Sequence, residues 1–328
     1  MRLALYRHGG ETRIGVQQGD ALVSLHRAAA WLLGRRGDPA ARARADLLAP
    51  DSVVAFLAAG AEARAFAEEC LAEVARADAA ELVRHGVLAS AADVEWLPTL
   101  VGAERFVCVG RNYLEHVQEA GAAAPEYPVL FPRYWSSVVG HEQPLVRPAV
   151  STEFDFEGEL VAVIGRPCRY VPRERALDVV GGYTILQEGS IRDWQLRAPT
   201  QMAGKNFTAT GSLGPWLVTA DELPDPAALH VTTRVNGETM QDADTSGMLY
   251  DVPFLIEYLT QFMPLEPGDV IATGTPPGVG FARRPPVFLR AGDRVEVEIP
   301  GLGTLANPVV DESSAAGPFA ASAATREG

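Results

Sequence analysis

The sequence predicts an α+β fold that is mostly β, with a small N-terminal α/β domain ahead of a larger β-rich domain. Short alternating segments separated by turn residues fill residues 1–26. Residues 28–89 are rich in Ala, Leu, Arg and Glu, with helical periodicity and few helix breakers. After Trp96-Leu97-Pro98, apolar strand patterns broken by Gly and Pro return. We therefore expect one domain over residues 1–100 and a second over residues 101–310.

The first of these domains contains no plausible catalytic cluster. The segments LALYRH, TRIGVQQ and ALVSL are predicted strands, and AFLAAGAEARAFAEECLAEVARA is a predicted helix. His8, His26 and His85 are isolated from one another in the sequence. An isolated histidine is more often structural or exposed than functional, so we expect a supporting role for this domain.

The second domain begins with a buried strand, RFVCVG, and a helix, RNYLEHVQEAG, for which Asn112 is a candidate N-cap. His116 and Glu119 are three residues apart and share one face of that helix. A carboxylate beside an imidazole orients the ring and makes it more basic, which suits a general base acting on water. A surface helix carries the same pair by chance, so both interpretations stay open. The following AGAAAPEYP is either the hinge of a lid or an ordinary loop.

The stretch FDFEGELVAVIG has the alternation of a strand and carries Asp155, Glu157 and Glu159 on one face. Two full charges about 4 Å apart repel by about 4 kcal/mol at an effective dielectric of about 20, so these carboxylates need a counter-charge. Glu188 follows a second apolar run about thirty residues later. Glu157, Glu159 and Glu188 together would form an all-oxygen site for a hard divalent cation. An acidic edge strand with one surface glutamate fits the same spacing.

Beyond Glu188, polar and cationic groups lie among glycines. Arg192, Gln201 and Lys205 are candidates for holding a carboxylate or an oxo group. Further along, RERALDVV and VPFLIEYLTQFM are predicted helical, HVTTRVNGETMQ is a predicted hairpin turning at Asn236-Gly237, and DRVEVEIPGLGTL is a final hairpin. Between these, DVIATGTPPGVG is a buried strand leading into a Gly-Pro loop, where Thr275 could donate a hydrogen bond to a ligand.

Composition excludes several partners. The net charge of −14 argues against nucleic acid and anionic membranes, since both would repel this surface. Three widely spaced cysteines form neither a disulfide framework nor a CxxC metal site. The absence of a long apolar run or signal peptide makes the cytoplasm the expected location. The polar, small-residue segment 311–328 is a predicted disordered tail.

Eight short motifs occur in order and together resemble the fumarylacetoacetate hydrolase family over residues 103–310. They are CVGRNYLEH, FEGEL, the block from ALDVVGGYT to SIRDWQ, GKNF, GPWLVTADEL, VNGE, PGDVIATGTPPGVG and GDRVEVEIPGLGTLAN. The resemblance implies a mixed β-sandwich roll, a homodimer, and Mg²⁺ or Mn²⁺ as cofactor. It implies metal ligation by Glu157, Glu159 and Glu188, although family members usually carry Asp at the third position. We expect Gly189 to give the longer Glu188 side chain the room it needs.

The resemblance also implies roles for the remaining residues. His116 and Glu119 match a catalytic pair on a lid helix, and Lys205 matches a catalytic lysine beside the metal. Substrate contacts are expected from five residues, namely Arg192, Gln201, Thr275, Arg111 and Tyr134. A further departure from the family, at Arg133-Tyr134-Trp135, is expected to reshape the pocket wall.

The implied substrate is a small anionic 2-oxo or 2,4-dioxo acid. We expect a metal-dependent hydrolase that cleaves a carbon–carbon bond in an acylpyruvate, with His116 and Glu119 activating water and Lys205 stabilising the departing enolate. The alternatives are a decarboxylase, a tautomerase or isomerase, or a hydratase or dehydratase that acts on a 2-oxo acid through an enolate. A non-catalytic binding protein with a degenerate site is a further alternative.

Overall fold

The computed structural model describes residues 1–119 and 121–314, in which the strands form a twelve-stranded sheet, a five-stranded sheet and one two-stranded pair. The strands are β1 (Arg2–His8), β2 (Glu11–Gln18), β3 (Ala21–Ser24), β4 (Leu88–Ser90), β5 (Glu95–Trp96), β6 (Phe106–Gly110), β7 (Val129–Pro132), β8 (Val138–Val139), β9 (Leu145–Arg147), β10 (Phe154–Asp155), β11 (Gly158–Ile164), β12 (Val180–Gln187), β13 (Ser190–Ile191), β14 (Gly211–Thr219), β15 (His230–Val235), β16 (Glu238–Asp244), β17 (Val270–Ala272), β18 (Arg294–Ile299) and β19 (Gly303–Asp311). The α-helices are α1 (Leu25–Arg35), α2 (Ala41–Leu48), α3 (Val53–Val74), α4 (Ala79–Arg84), α5 (Leu114–Glu119), α6 (Arg192–Gln195), α7 (Met202–Lys205) and α8 (Val252–Phe262).

The larger sheet has the strand order β4-β3-β2-β1-β14-β12-β11-β17-β6-β7, with β5 paired to β1 and β8 paired to β14. Its centre, β11 between β12 and β17, is buried along its whole length. A strand that is apolar on both faces has to lie between two packed layers. This central strand carries Glu159, and the residue before it is Glu157.

The second sheet, β16-β15-β18-β19-β9, packs against the first. Residues from both sheets share one apolar cluster, in which Leu160 and Ile185 of the first sheet join Val231, Val297 and Leu305 of the second. Apolar burial between two facing sheets is the usual source of stability in a sandwich. The predicted fold, mixed and rich in β-structure with an N-terminal α/β region, is therefore confirmed.

The N-terminal region has the predicted strands followed by helices, but its sheet is continuous with the larger sheet. Strand β1 pairs with β14, so hydrogen bonds of the sheet cross the predicted boundary at residue 100. Helices α1 and α3 and the strands of the second region also contribute to one apolar cluster. The division of the chain at residue 100 therefore remains a prediction.

Most elements predicted from local patterns are present. The hairpin of β15 and β16 turns at Asn236 and Gly237, whose φ angles of 53° and 81° match the turn type that such a pair favours. The helix VPFLIEYLTQFM corresponds to α8, where Asp251 accepts a hydrogen bond from the backbone N–H of Phe254. The segment RERALDVV forms a 3₁₀ helix, Arg173–Val179.

Two expectations need qualification. Asn112 does not cap α5, because its side-chain amide donates to the carbonyls of Tyr250 and Thr273 and its oxygen accepts from the Tyr250 N–H. In the predicted tail, Asp311 ends β19 and Glu312–Ser314 form a 3₁₀ turn, whereas residues 315–328 lie outside the described residues.

No helix within residues 1–119 and 121–314 is long and apolar enough to span a membrane.

Candidate metal centre and active site

Three glutamates meet because of the register between β11 and β12. Gly158 is paired with Gln187, which sets the preceding Glu157 opposite the following Glu188, and the Glu188 N–H donates to the Glu157 carbonyl at 2.7 Å. Glu159 lies two residues along β11 on the same face. One carboxylate oxygen from each of Glu157, Glu159 and Glu188 lies within 4.8 Å of the others, and all three side chains are buried.

Buried cations balance part of this negative charge. Lys205 Nζ donates to Glu157 at 2.7 Å and to Glu188 at 2.8 Å. Arg192 contacts Glu157 at 2.7 Å and Asp155 at 2.8 Å. Burial alone would raise the pKa of Glu157, but the charges of Lys205 and Arg192 outweigh it and lower the pKa to about 2. Glu157 is therefore ionised at neutral pH.

Glu159 is in the opposite situation. Burial, followed by repulsion from Glu188 and Glu157, raises its pKa well above the ordinary value, and the attraction of Lys205 only partly offsets this. One of its oxygens accepts from the Gly274 N–H at 2.9 Å. Glu159 thus adds a buried carboxylate to a site in which the cations Lys205 and Arg192 are already paired with other carboxylates.

The donor set fits a hard divalent cation. Glu188 Oε1 is buried and has no hydrogen-bond partner within the part of the chain that the structure describes, although Arg133 lies 3.7 Å away. A buried carboxylate oxygen without a partner is costly unless a cation or water satisfies it. Oxygen ligands from three carboxylates suit Mg²⁺ or Mn²⁺. The side chains of Glu157, Glu159 and Glu188 are thus the residues that could hold the metal.

Gly189 is required by close packing. A Cβ atom there would lie 1.8 Å from the Thr210 carbonyl oxygen. The Gly189 carbonyl also accepts from Arg133, which is fully buried behind Glu188. Arg133 is not among the residues that line the cavity beside the carboxylates, so the expectation that it reshapes the pocket wall is wrong. It contacts the site from behind, through Glu188 and Gly189.

His116 and Glu119 form the predicted pair on α5. His116 Nδ1 lies 2.8 Å from Glu119 Oε1, and the histidine is 9% exposed. With Nδ1 occupied by the carboxylate, Nε2 is the nitrogen that is left for chemistry. His116 lines the same cavity as the three glutamates.

This cavity has a volume of about 260 Å³ and contains most of the predicted site residues. Arg111, Arg192, Gln201, Lys205 and Thr275 line it together with His116, Glu157, Glu159 and Glu188. Arg192 Nη2 is buried and has no hydrogen-bond partner among the described residues, so its N–H groups can donate to a ligand oxygen. The Thr275 hydroxyl donates to the Gly158 carbonyl and accepts from Gln241, so its proton is already used.

Tyr134 is the exception among the predicted substrate contacts. Its side chain is 48% exposed and is not among the residues that line the cavity. Its backbone N–H donates to the Asn206 side chain, which anchors the start of the loop. Its hydroxyl lies 4.0 Å from Met202 Sδ at the start of α7, outside the cavity lining.

Two residues of the site had no assigned role in the sequence. Asp155 accepts from Arg192, from the Gly280 N–H at 2.7 Å and from the Phe281 N–H at 3.0 Å. Ser190 donates to Glu157 at 3.1 Å. The signal for Asp155 was its position on the carboxylate face of the strand, whereas Ser190 had no such signal.

A larger open cavity of about 960 Å³ lies in the N-terminal region between α1 and α2. It contains none of the predicted site residues, and His26, on its wall, is hydrogen-bonded to Asp46 at 2.7 Å. We therefore place the candidate chemistry in the smaller cavity, where buried charges converge.

Comparison with known proteins agrees with this geometry. The family model described as "Fumarylacetoacetate (FAA) hydrolase C-terminal" matches residues 105–310. The chain is 42% identical over 223 residues to the Xenopus laevis protein named oxaloacetate tautomerase fahd2, mitochondrial, which covers 67% of this chain and 70% of that protein.

Solved structures are similar over almost the whole chain. A fumarylacetoacetate hydrolase from psychrophilic Exiguobacterium antarcticum has a TM-score of 0.74 and 33% identity, covering 95% of this chain and 99% of that one. A maleylpyruvate hydrolase from Sphingobium sp. SYK-6, solved in complex with manganese(II) ion and pyruvate, has a TM-score of 0.70 and 29% identity, covering 95% and 99% of the two chains. The chain belongs to the fumarylacetoacetate hydrolase family.

Proposed function

We propose that this protein is a divalent-metal-dependent enzyme that interconverts the keto and enol forms of oxaloacetate or a closely similar 2-oxo acid. The observation that carries the proposal is the convergence of His116, Lys205 and three buried carboxylates on one cavity of about 260 Å³. Its 42% identity to a protein named oxaloacetate tautomerase supports this reaction over the hydrolysis expected from the sequence motifs.

The charges of the site suit an anionic 2-oxo acid. Arg192 Nη2, which is buried and has no partner among the residues that the structure describes, would hold the carboxylate next to the oxo group, with the Gln201 amide beside it. A divalent cation held by Glu157, Glu159 and Glu188 would supply positive charge that stabilises an enolate oxygen. Both Mg²⁺ and Mn²⁺ accept such ligands, and we propose one of them as the cofactor.

His116 would move the proton. Its Nε2 accepts a proton from C3 of the keto acid as the C3–H bond breaks, and the electron pair shifts to the C2 oxygen. Protonation of that oxygen gives the enol, so no atom is gained or lost overall. Lys205, held between Glu157 and Glu188, would stabilise the developing negative charge on the oxygen. Glu119 keeps the His116 ring oriented and stabilises its protonated form.

Hydrolysis of an acylpyruvate is the second candidate. It is favoured by the similarity to a maleylpyruvate hydrolase solved with manganese and pyruvate. There the same His116–Glu119 pair would take a proton from water that attacks C4, and cleavage of the C3–C4 bond would release pyruvate and a carboxylic acid. The two reactions share an enolate of the 2-oxo acid and differ in whether water enters the cavity.

One kinetic panel separates the candidates. Purified protein with Mg²⁺ or Mn²⁺ is mixed with oxaloacetate freshly dissolved as the enol, and decay of the enol absorbance is followed against a metal-free control. The same protein is then given a panel of acylpyruvates, with pyruvate measured as product. Metal-dependent ketonisation that is lost in His116→Gln and kept in Tyr134→Phe supports the tautomerase.

The remaining outcomes are equally informative. Release of pyruvate from an acylpyruvate supports the hydrolase, whereas pyruvate from oxaloacetate supports a decarboxylase. Binding of 2-oxo acids without any turnover would contradict an enzymatic role and support a binding protein.

Assembly and location are part of the proposal. A homodimer is supported by an aromatic row that begins at Tyr250, just before α8, and continues along α8 with Phe254, Tyr258 and Phe262. The rings follow one another at 5.0–6.1 Å, and Phe262 is 56% exposed. Light scattering during size exclusion measures the mass directly. The cytoplasm remains the expected location, although the Xenopus relative is named as mitochondrial, and fractionation of the native host decides between the two.

A further inference from the structure

The carboxylate of Glu119 is held by the backbone of a distant loop. The Gly278 N–H donates to its two oxygens at 3.1 Å and 2.9 Å, and the first of these oxygens also contacts His116 Nδ1 at 2.8 Å. Glu119 therefore bridges His116 and the loop of residues 274–283. Since α5 has only six residues, this bridge is a substantial part of what fixes its end.

The direction of the Gly278 N–H depends on an unusual backbone conformation. Gly278 has a φ of 101°, and a Cβ atom at this position would lie 2.2 Å from the Met240 carbonyl oxygen. Only glycine adopts this conformation without strain. A residue with a side chain here would have to move the peptide that contacts Glu119.

Arg283 ties this peptide to the neighbouring strand. Its Nε donates to the Gly278 carbonyl at 3.1 Å, and its Nη2 donates to the Met240 carbonyl at 2.6 Å. The planar guanidinium thus spans two carbonyls, one on the loop and one on β16. Such a fork fixes orientation in a way that a single point charge does not.

The same loop is attached to the candidate metal centre on both sides of Gly278. The Gly274 N–H donates to the ligand candidate Glu159. The N–H groups of Gly280 and Phe281 donate to Asp155, which holds Arg192. The loop therefore connects the carboxylate cluster, the arginine anchor and the His116–Glu119 pair.

We propose that Arg283 is a positioning residue that clamps the Gly278 peptide and, through Glu119, aims His116 into the cavity. Arg283 is not among the residues that line the cavity and acts only through Glu119. The catalytic meaning of the clamp rests on the function proposed above, whereas its effect on α5 does not. Outer contacts of this kind set the geometry of reacting groups, and a displacement of about 1 Å can reduce a rate about 100-fold.

The test compares Arg283→Ala with Arg284→Ala in the full chain. Arg284 is exposed and its guanidinium donates to the nearby carbonyls of Ala282 and Arg283, which makes it a matched control. We expect Arg283→Ala to lower kcat for enol ketonisation about 10- to 100-fold with a smaller change in KM, and to leave Mn²⁺ affinity unchanged. Hydrogen–deuterium exchange of the peptide that contains residues 114–119 should speed up in Arg283→Ala and not in Arg284→Ala.

Two further variants keep the result interpretable. Arg283→Lys should restore part of the rate, because lysine reaches a carbonyl but cannot span both. On a Glu119→Ala background, Arg283→Ala should cause no further loss, because the clamp acts through the side-chain oxygens of Glu119. Equal exchange and equal kcat in Arg283→Ala and Arg284→Ala, or additive losses with Glu119→Ala, overturn the proposal. If the wild-type protein turns over no 2-oxo acid, the proposed function fails and the exchange comparison still decides the clamp.

Discussion

Binding of a divalent cation should release a proton from Glu159, and calorimetry can count that proton. The prediction follows from the different environments of two ligand candidates on one strand. At Glu157, the charges of Lys205 and Arg192 outweigh the effect of burial, which alone would raise the pKa, and lower it to about 2. At Glu159, burial and the charges of Glu188 and Glu157 raise the pKa well above the ordinary value.

The size of the effect follows from the geometry. Carboxylate oxygens at the 4.8 Å limit of this cluster repel by about 3 kcal/mol at an effective dielectric of about 20. This repulsion adds to the effect of burial in raising the pKa of Glu159, and Lys205 offsets part of it. A cation that binds three ionised carboxylates must displace the proton, so its apparent affinity should rise up to about tenfold per pH unit below the pKa of Glu159.

Isothermal titration of Mn²⁺ in two buffers with different ionisation enthalpies measures the protons released per cation bound. We expect close to one proton per cation where the pH lies below the pKa of Glu159, and fewer as the pH rises through that pKa. Glu159→Gln should abolish proton release. Glu157→Gln should weaken Mn²⁺ binding but preserve proton release. Affinity that does not depend on pH, with no proton released by the wild type, would refute the reasoning.

Three further predictions concern the His116–Glu119 pair, stability in acid and core packing. His116→Gln should reduce turnover at least about 100-fold and leave Mn²⁺ affinity unchanged, because in the proposed mechanism the ring moves the proton and is not a metal ligand; undiminished turnover would place the base elsewhere. The pKa of Glu157 is depressed on folding from 4.5 to about 2, so the stability it contributes, about 3 kcal/mol, is complete above pH 4.5 and is lost as the pH falls through about 2. Urea titrations of the wild type and Glu157→Gln across that range measure the difference, and parallel curves would count against it. Gly158→Ala should destabilise the protein by about 1–3 kcal/mol, because its Cβ would lie 2.2 Å from Thr233 Oγ1; an unchanged melting temperature would contradict the packing.

Local patterns predicted the elements that local forces stabilise. The hairpin at Asn236-Gly237 and helix α8 depend on turn chemistry and on helical periodicity, both of which can be read within a few residues. The prediction that Asn112 caps a helix is wrong, although asparagine is a residue that favours helix caps. Its side chain donates instead to the carbonyls of Tyr250 and Thr273, which are about 140 to 160 residues away along the chain. The role predicted for Arg133 in the pocket wall also failed because it depends on distant contacts. The sequence does not reveal that its guanidinium is buried behind Glu188.

The amino-acid sequence by itself determined the chemical inventory of the site: three glutamates in strand settings, a histidine and a glutamate one helical turn apart, and a set of motifs typical of one family. Tertiary structure alone decided that Glu157 lies opposite Glu188 and that the Gly278 N–H holds Glu119. It also decided that Lys205 and Arg192 lower the pKa of Glu157, whereas the pKa of Glu159 is raised. The physical reason is distance along the chain. Strand register and buried charge pairs join residues that are tens to more than a hundred positions apart, and their energies depend on geometry that no local pattern contains.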